Sequence, residues 1–522
     1  MNKSSLTSNP TVLIILDGFG LADVQHPGNA ITPATAPHIF GYLKKYPYTT
    51  LKAHGKDVGL FTGQEGNSEA GHFNIGAGRV VEQDLVRISD AIKDGTFFKN
   101  EAFTQALHHA ESHHAAIHVM GLLTNGQSAH AHPEHLYALL DYLRQHKFYS
   151  VVLHLFTDGR DSSPHSAITH LKRLRKYMKN NEKIGTVMGR FYAMDRNKLW
   201  ERTEAAYNAI VLGQAAQTAE SAEEAISHGY NRGETDEYIS PTVILENNKP
   251  IAKINDHDVI YFFNARSDRA RQITKAFVQS KFTAENPGAF KRNRWPKDIR
   301  FVAMTDFGPD LPDIYTAFPS PDVKNSLAKA IGEQARQLYI SETEKYAHIT
   351  YFINGGYAQP INGEVRELVS SGDTYSYADK PRMHSAEVTK RILDHLRHHR
   401  YDFVAVNFPN ADMVGHTGDF GATCKAVRAI DRHVNQIVSF VLKRHGQVII
   451  TADHGNAEVM YNPNNGEMDT EHTTNPVPFI VVRDTMKTFH LKSGRLADVA
   501  PTVLALMGII KPKEMTGKSL LY

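Results

Sequence analysis

Thr11-Val12-Leu13-Ile14-Ile15-Leu16-Asp17-Gly18-Phe19-Gly20 decides the fold of this chain. Six consecutive apolar or β-branched residues with no polar alternation are the pattern of a strand buried on both faces, as in a parallel sheet. The run stops at an aspartate and a glycine, so Asp17 stands at the carboxyl end of the strand, where open α/β sheets place their ligands.

Working outward, the next informative stretch is Gly66-Asn67-Ser68-Glu69-Ala70-Gly71-His72. Glycine, asparagine and serine are ordinary turn residues. A serine hydroxyl becomes a nucleophile only when a base or a metal ion activates it. Whether Ser68 is a nucleophile therefore depends on what the rest of the chain brings to it.

The 522 residues exceed one ordinary core and predict two domains. An apolar content of 41% with 22% charged residues is that of a globular chain. The formal net charge of +2 supplies no bulk field for nucleic acid or an anionic membrane, so any anion site is local. One cysteine, Cys424, excludes an intrachain disulfide and fits a reducing compartment. The start of the chain, 1–10, is polar, and the apolar run after it is too short for a signal-peptide core or a membrane span. A cytoplasmic protein without membrane contact is the expectation. The histidine doublets His108-His109, His113-His114 and His398-His399 read as solvated helix faces, because neighbours on a helix do not face each other.

From about Val80 a second alternation of strands and helices begins. Strands are expected near 116–123, 150–156, 183–188 and 259–263, with helices near 133–146 and 199–212 between them. That order implies parallel pairing through right-handed crossovers. Proline-rich sequence near 296–321 marks the end of this unit. The last third resumes α/β order, with strands at 403–407 and 447–451 around a long helix whose stripe is Val427, Ile430, Val434, Ile437, Val438 and Val441. There is no internal repeat.

Two constellations stand at the expected strand ends. Asp17, Asp412 with His416, and Asp453 with His454 each follow a strand, and His472 lies in the polar loop Asp469-Thr470-Glu471-His472-Thr473. If the strands are neighbours, these residues converge, and a mixed carboxylate and imidazole set suits Mn²⁺ or Zn²⁺. Two such ions would hold both oxygens of a phosphoryl transfer, with Ser68 activated on one of them. The middle unit carries Arg160-Asp161, Arg190, Arg196, Arg266 and Arg269, with His130 in Asn125-Gly126-Gln127-Ser128-Ala129-His130. Repeated arginine forks imply a small, multiply anionic ligand, and His130 is placed to donate a proton to an alkoxide.

These motifs, LDGFG at 16–20, GNSEAGH at 66–72, TDGRD at 157–161, GRFYAMDR at 189–196, ARSDRAR at 265–271, SETEKYAHIT at 341–350, NFPNADMVGHTGD at 407–419 and TADHGNAE at 451–458, closely resemble those of the cofactor-independent phosphoglycerate mutases of the alkaline phosphatase superfamily. The likeness runs from about Val12 to the C-terminus. It implies two doubly wound α/β domains: an alkaline-phosphatase-like metal-binding domain made of 1–82 and 315–522, and an inserted substrate-binding transferase domain, 83–314. It implies two divalent ions, Mn²⁺ by family habit, one on Asp17, Ser68, Asp453 and His454, the other on Asp412, His416 and His472. It implies that Ser68 takes the phosphoryl group from 3-phosphoglycerate and returns it to the other hydroxyl, without 2,3-bisphosphoglycerate, in glycolysis and gluconeogenesis. The same likeness assigns substrate binding to His130, Arg160, Asp161, Arg190, Arg196, Arg266, Arg269 and Lys345, with Lys345 reaching the phosphate from the other wall of an interdomain cleft, and a monomer as the state.

Two departures are visible. NGQSAH stands where the family has a shorter DGGVH, which leaves His132 as a rival to His130, and Ala70 replaces a usual valine. Keeping a phosphoserine from water predicts domain closure with hinges near 80–83 and 310–322. The rivals to this reading are another phosphomutase, phosphatase or sulfatase of the superfamily, which would lack the arginine set, and a non-catalytic metal-binding protein, which has no need of an intact Ser68.

Overall fold

The structure, a computed structural model, describes residues 9–148, 150–179, 182–311, 313–461, 466–484 and 489–522. The polar start of the chain, 1–8, and Pro312 within the expected second hinge lie outside them. In chain order the strands are β1 (Thr11–Leu16), β2 (Tyr48–Lys52), β3 (Ile117–Leu123), β4 (Val151–Thr157), β5 (Lys183–Gly189), β6 (Gln217–Ala219), β7 (Thr242–Glu246), β8 (Lys249–Pro250), β9 (Val259–Phe262), β10 (Arg300–Thr305), β11 (Tyr315–Phe318), β12 (Gln337–Glu342), β13 (Val365–Val369), β14 (Phe403–Phe408), β15 (Gln447–Thr451), β16 (Val477–Arg483) and β17 (Gly494–Arg495). The chain divides into two compact units, Met1–Gln83 with Asp322–Tyr522, and Asp84–Pro321.

The first unit is built on a sheet of order β13-β12-β14-β1-β15-β16-β2-β17. β1 sits in its middle, hydrogen-bonded in parallel to β14 and to β15. All six of its residues are buried, as its unbroken apolar run requires. Because β1 is flanked by strands from the far end of the chain, the loops after β1, β14 and β15 leave the sheet side by side. The helix Phe420–Leu442 covers this sheet through Val427, Ile430, Val434, Ile437, Val438 and Val441, all buried.

The second unit carries the order β11-β10-β9-β3-β4-β5-β7-β6, with β8 paired to β7. β9, β3, β4 and β5 are parallel neighbours, so the segments after them share one edge. β11 pairs with β10, so this sheet runs past the proline-based boundary expected at 314. The strand alternation predicted parallel pairing, and the centres of both sheets follow it. The flanks do not: β16 is antiparallel to β15 and β2, and β7 to β5. Residue periodicity reports burial, and a buried strand looks the same in either direction.

Among the described residues, no helix is long and apolar enough to cross a membrane.

Candidate functional site

Ser68 opens the helix Ser68–Ala77, where Asn67 caps the end by accepting a hydrogen bond from Ala70 N at 2.9 Å. The hydroxyl thus lies at the positive end of the helix dipole. Its Oγ donates to Asp17 Oδ1 at 3.2 Å, lies 2.9 Å from His454 Nε2, and accepts from Lys345 Nζ at 2.6 Å. The flanking glycines are required by close packing. A Cβ on Gly66 would stand 2.1 Å from Ala53 O and 2.9 Å from the His454 side chain, and one on Gly71 would stand 2.6 Å from Asp453 O. They let the serine loop lie against the β15 end.

Around Ser68 two groups of donors converge: Asp17, Asp453 and His454, and Asp412, His416 and His472, each with one ligand atom per residue within 4.8 Å of the others. His416 Nδ1 faces Thr470 O at 2.7 Å, and His472 Nδ1 faces Gly66 O at 2.8 Å. Those bonds place the protons of the neutral rings on Nδ1 and leave each Nε2 as a lone pair. The two Nε2 atoms are 3.1 Å apart and lie 3.3 and 3.2 Å from Asp412 Oδ1, itself buried without a hydrogen bond. Three lone-pair atoms facing one another are repulsive unless a cation holds them. Asp453 Oδ2 is likewise buried without a hydrogen bond, with His454 Nε2 at 3.5 Å. The residues therefore fit two divalent ions, and the mixed donors suit a borderline transition ion.

A further layer orients these ligands. Asn407 donates to Asp17 Oδ2 at 2.7 Å and touches His72 Nε2 at 3.0 Å, while His72 Nδ1 faces Ser68 O at 3.0 Å. Lys345 lies between the carboxylates, 2.8 Å from Asp17 Oδ1 and 2.7 Å from Asp412 Oδ2. Burial is the largest influence on the Asp17 carboxyl and raises it, but Lys345 and His454 together outweigh it and hold the group far below the usual range. Burial would lower His454, yet Asp453, Asp17 and Asp412 push it up to about 9. The His454 shift is the field of three carboxylates on one spot.

In the second unit the edge after β3, β4, β5 and β9 gathers the anion-binding residues. Arg190 is buried and donates through Nη1 to Asp158 at 2.6 Å and Asp161 at 2.7 Å. Asp268 joins Arg196 at 2.6 Å, Arg266 at 3.5 Å and His130 Nδ1 at 3.8 Å. Arg269 donates to Met194 O, and after burial its largest perturbers are Arg196, Arg190 and Arg160, so those guanidiniums share one neighbourhood. Arg160 lies 3.6 Å from Glu237. Burial and Arg190 push His130 down to about 4, so the free protein carries it neutral. His132, the rival histidine, caps the helix Pro133–Gln145 instead and accepts from Glu134 N.

Lys345, the remaining expected substrate residue, belongs to the first unit and lies beside Ser68. Sequence reasoning missed Asn407, His72, Asp158 and Asp268. All four lie inside quoted motifs, and a polar residue within a motif was the available signal. It also dismissed His109 and His113. Members of one doublet indeed do not meet, but His109 and His113 are one turn apart, and they cluster with His257.

Comparison with known proteins follows the same division. The family profile described as BPG-independent PGAM N-terminus matches residues 88–309, and one described as type I phosphodiesterase / nucleotide pyrophosphatase matches residues 312–506. The chain is 47% identical over 515 residues to the 2,3-bisphosphoglycerate-independent phosphoglycerate mutase of Clostridium kluyveri, covering 98% of this chain and 99% of that protein. It is 46% identical over 517 residues to the enzyme of the same name from Moorella thermoacetica, covering 98% of each. Among solved structures, Leishmania mexicana phosphoglycerate mutase at low cobalt concentration is similar at a TM-score of 0.77 and 30% identity, over 99% of this chain and 98% of that one.

Proposed function

Because the chain belongs to the 2,3-bisphosphoglycerate-independent phosphoglycerate mutases of the alkaline phosphatase superfamily, and so interconverts 3- and 2-phosphoglycerate in glycolysis, we propose that it does so through a phosphoserine at Ser68. One observation carries the assignment: Ser68 Oγ has an ammonium, an imidazole nitrogen and a carboxylate oxygen within 3.2 Å at a helix N-terminus.

In this reading Asp17, Ser68, Asp453 and His454 hold one divalent ion and Asp412, His416 and His472 a second, with Mn²⁺ as the physiological metal. When bound, the ions supply Lewis-acid stabilisation of phosphoryl oxygens and lower the pKa of the serine hydroxyl. Ser68 Oγ attacks phosphorus, its proton passing to the surrounding bases, and the bond from phosphorus to the C3 oxygen breaks. Lys345 donates to the charge that develops on Oγ and on the phosphoryl group. The leaving C3 oxygen takes up a proton, and in the second half the C2 hydroxyl gives up a proton as it attacks the phosphoserine. His130 supports this exchange: neutral in the free protein, it gains basicity when an anionic ester lies beside it.

The second unit, read as the substrate-binding domain, supplies anion recognition. Arg160, Arg190, Arg196, Arg266 and Arg269, with Asp161 and His130, orient carboxylate, hydroxyl and phosphate. The first unit supplies the covalent chemistry. The protein works as a cytoplasmic monomer in this reading.

The test is direct. Protein loaded with Mn²⁺, mixed with 3-phosphoglycerate and quenched, is digested and the Ser68 peptide is weighed. A phosphorylated Ser68 peptide that is chased by glycerate supports the route. Its absence under turnover, or a Ser68→Ala variant that still forms 2-phosphoglycerate by phosphorus NMR, would overturn it.

A further inference from the structure

We propose that His109, His113 and His257 form a third transition-metal site, specific for a borderline divalent ion of the Zn²⁺ class and separate from the catalytic pair. One ring nitrogen from each of the three lies within 4.8 Å of the others. His109 and His113 are on the last turns of the helix Glu101–His113, and His257 lies two residues before β9. Arg266 follows β9 at its other end, so the trio sits at the opposite edge of the second unit's sheet from the arginine cluster.

One nitrogen of every ring is already occupied, in the manner of metal-binding histidines. His109 Nε2 faces His257 O at 3.0 Å, His113 Nδ1 faces His109 O at 2.9 Å, and His257 Nδ1 pairs with Asp298 Oδ2 at 2.9 Å. These bonds leave His109 Nδ1, His113 Nε2 and His257 Nε2 as lone-pair donors. The rings are close, with centroids 4.5 Å apart for His113 and His257 and 4.3 Å for His109 and His113. The first pair is stacked with planes 10° apart, so the exposed His113 turns out of the stack when both lone pairs meet one ion. His257 holds φ +68°, the left-handed region, so backbone strain is accepted to present this ring.

In a tetrahedral Zn²⁺ site with bonds of about 2.0–2.1 Å, the donor atoms stand roughly 3.3 Å apart. The trio is therefore open by at most about 1.5 Å, which rotation of the exposed His113 and half-buried His257 side chains closes. Three neutral imidazoles exclude Mg²⁺ and Ca²⁺ as preferred ions and leave a fourth position for water. Arg300 is the nearby cation that opposes an ion here. Its guanidinium is bonded to Asp298 Oδ1 at 2.7 Å, so the same carboxylate that orients His257 neutralises it. The ion would tie the end of the helix Glu101–His113 to the segment entering β9.

Equilibrium dialysis of the full chain against micromolar free Zn²⁺, with bound metal counted by mass spectrometry, tests this. The wild-type chain is expected to hold one more equivalent than His113→Ala and than His257→Gln. His108→Ala should keep the full count, and His416→Ala, altered in the catalytic centre, should still lose an equivalent when His113→Ala is added. Mn²⁺-supported mutase activity equal to wild type in His113→Ala shows that the fold is intact. Equal Zn²⁺ counts in wild type, His113→Ala and His257→Gln overturn the proposal.

Discussion

Lys345 Nζ lies 2.6 Å from Ser68 Oγ, and both are buried. Burial works against the ammonium, but Asp17 and Asp412 overcome it and keep the side chain protonated far above its usual range. A permanent cation therefore donates to the serine oxygen. Lys345→Met is expected to lower kcat by about 10²–10³-fold, as loss of a preorganised donor does, with a smaller change in KM. Steady-state kinetics on matched metal-loaded samples decide it; an unchanged kcat removes Lys345 from the chemistry.

Metal removal should cost stability as well as activity. Asp17, Asp412 and Asp453 are buried together, and Asp412 Oδ1 and Asp453 Oδ2 have no hydrogen-bond partner. A chelator is expected to abolish turnover and lower the denaturation midpoint, and Mn²⁺ to restore both. An ion present at 100 times its dissociation constant adds about 2.7 kcal/mol. A midpoint indifferent to chelator and Mn²⁺ contradicts the two-ion reading.

The arginines should differ in how much the fold depends on them. Arg190 is buried against Asp158, so Arg190→Met leaves a buried carboxylate unpaired and should destabilise the protein by about 3–5 kcal/mol in urea titrations. Arg266 has a side chain 39% exposed. Arg266→Ala should leave stability within about 0.5 kcal/mol and raise KM for phosphoglycerate roughly 10-fold or more, the scale of a lost charged hydrogen bond. An Arg190→Met variant as stable as wild type, or an Arg266→Ala variant with unchanged KM, contradicts this.

Glu342 gives a pH-dependent stability with a definite sign. Burial pushes its carboxyl from 4.5 up to about 7, and Oε1 has no hydrogen-bond partner. The folded pKa is above the unfolded one, so the contribution is fully present below pH 4.5 and is lost as pH rises through 7. The loss is about 3 kcal/mol at 1.4 kcal/mol per pH unit. Glu342→Gln, which cannot ionise, should gain on wild type between pH 5 and pH 8 in urea midpoints. A wild-type and variant difference that does not change with pH would sink this account.

Much of the molecule was legible along the chain. The run Thr11–Leu16 announced a doubly buried strand, and Asp17, Asp412 and Asp453 announced themselves by following strands, because burial and loop chemistry leave a local imprint on residue type. Tertiary structure alone decided that β14, β1 and β15 are neighbours, so that Ser68 meets a lysine 277 positions away. It alone set β16 antiparallel, put His130 rather than His132 beside the arginines, made Asp268 the shared partner of three side chains, and brought His257 to the helix of His109 and His113. Such contacts depend on which strand lies beside which. Hydrophobic periodicity, which records only the inside and outside of each segment, carries no trace of that order.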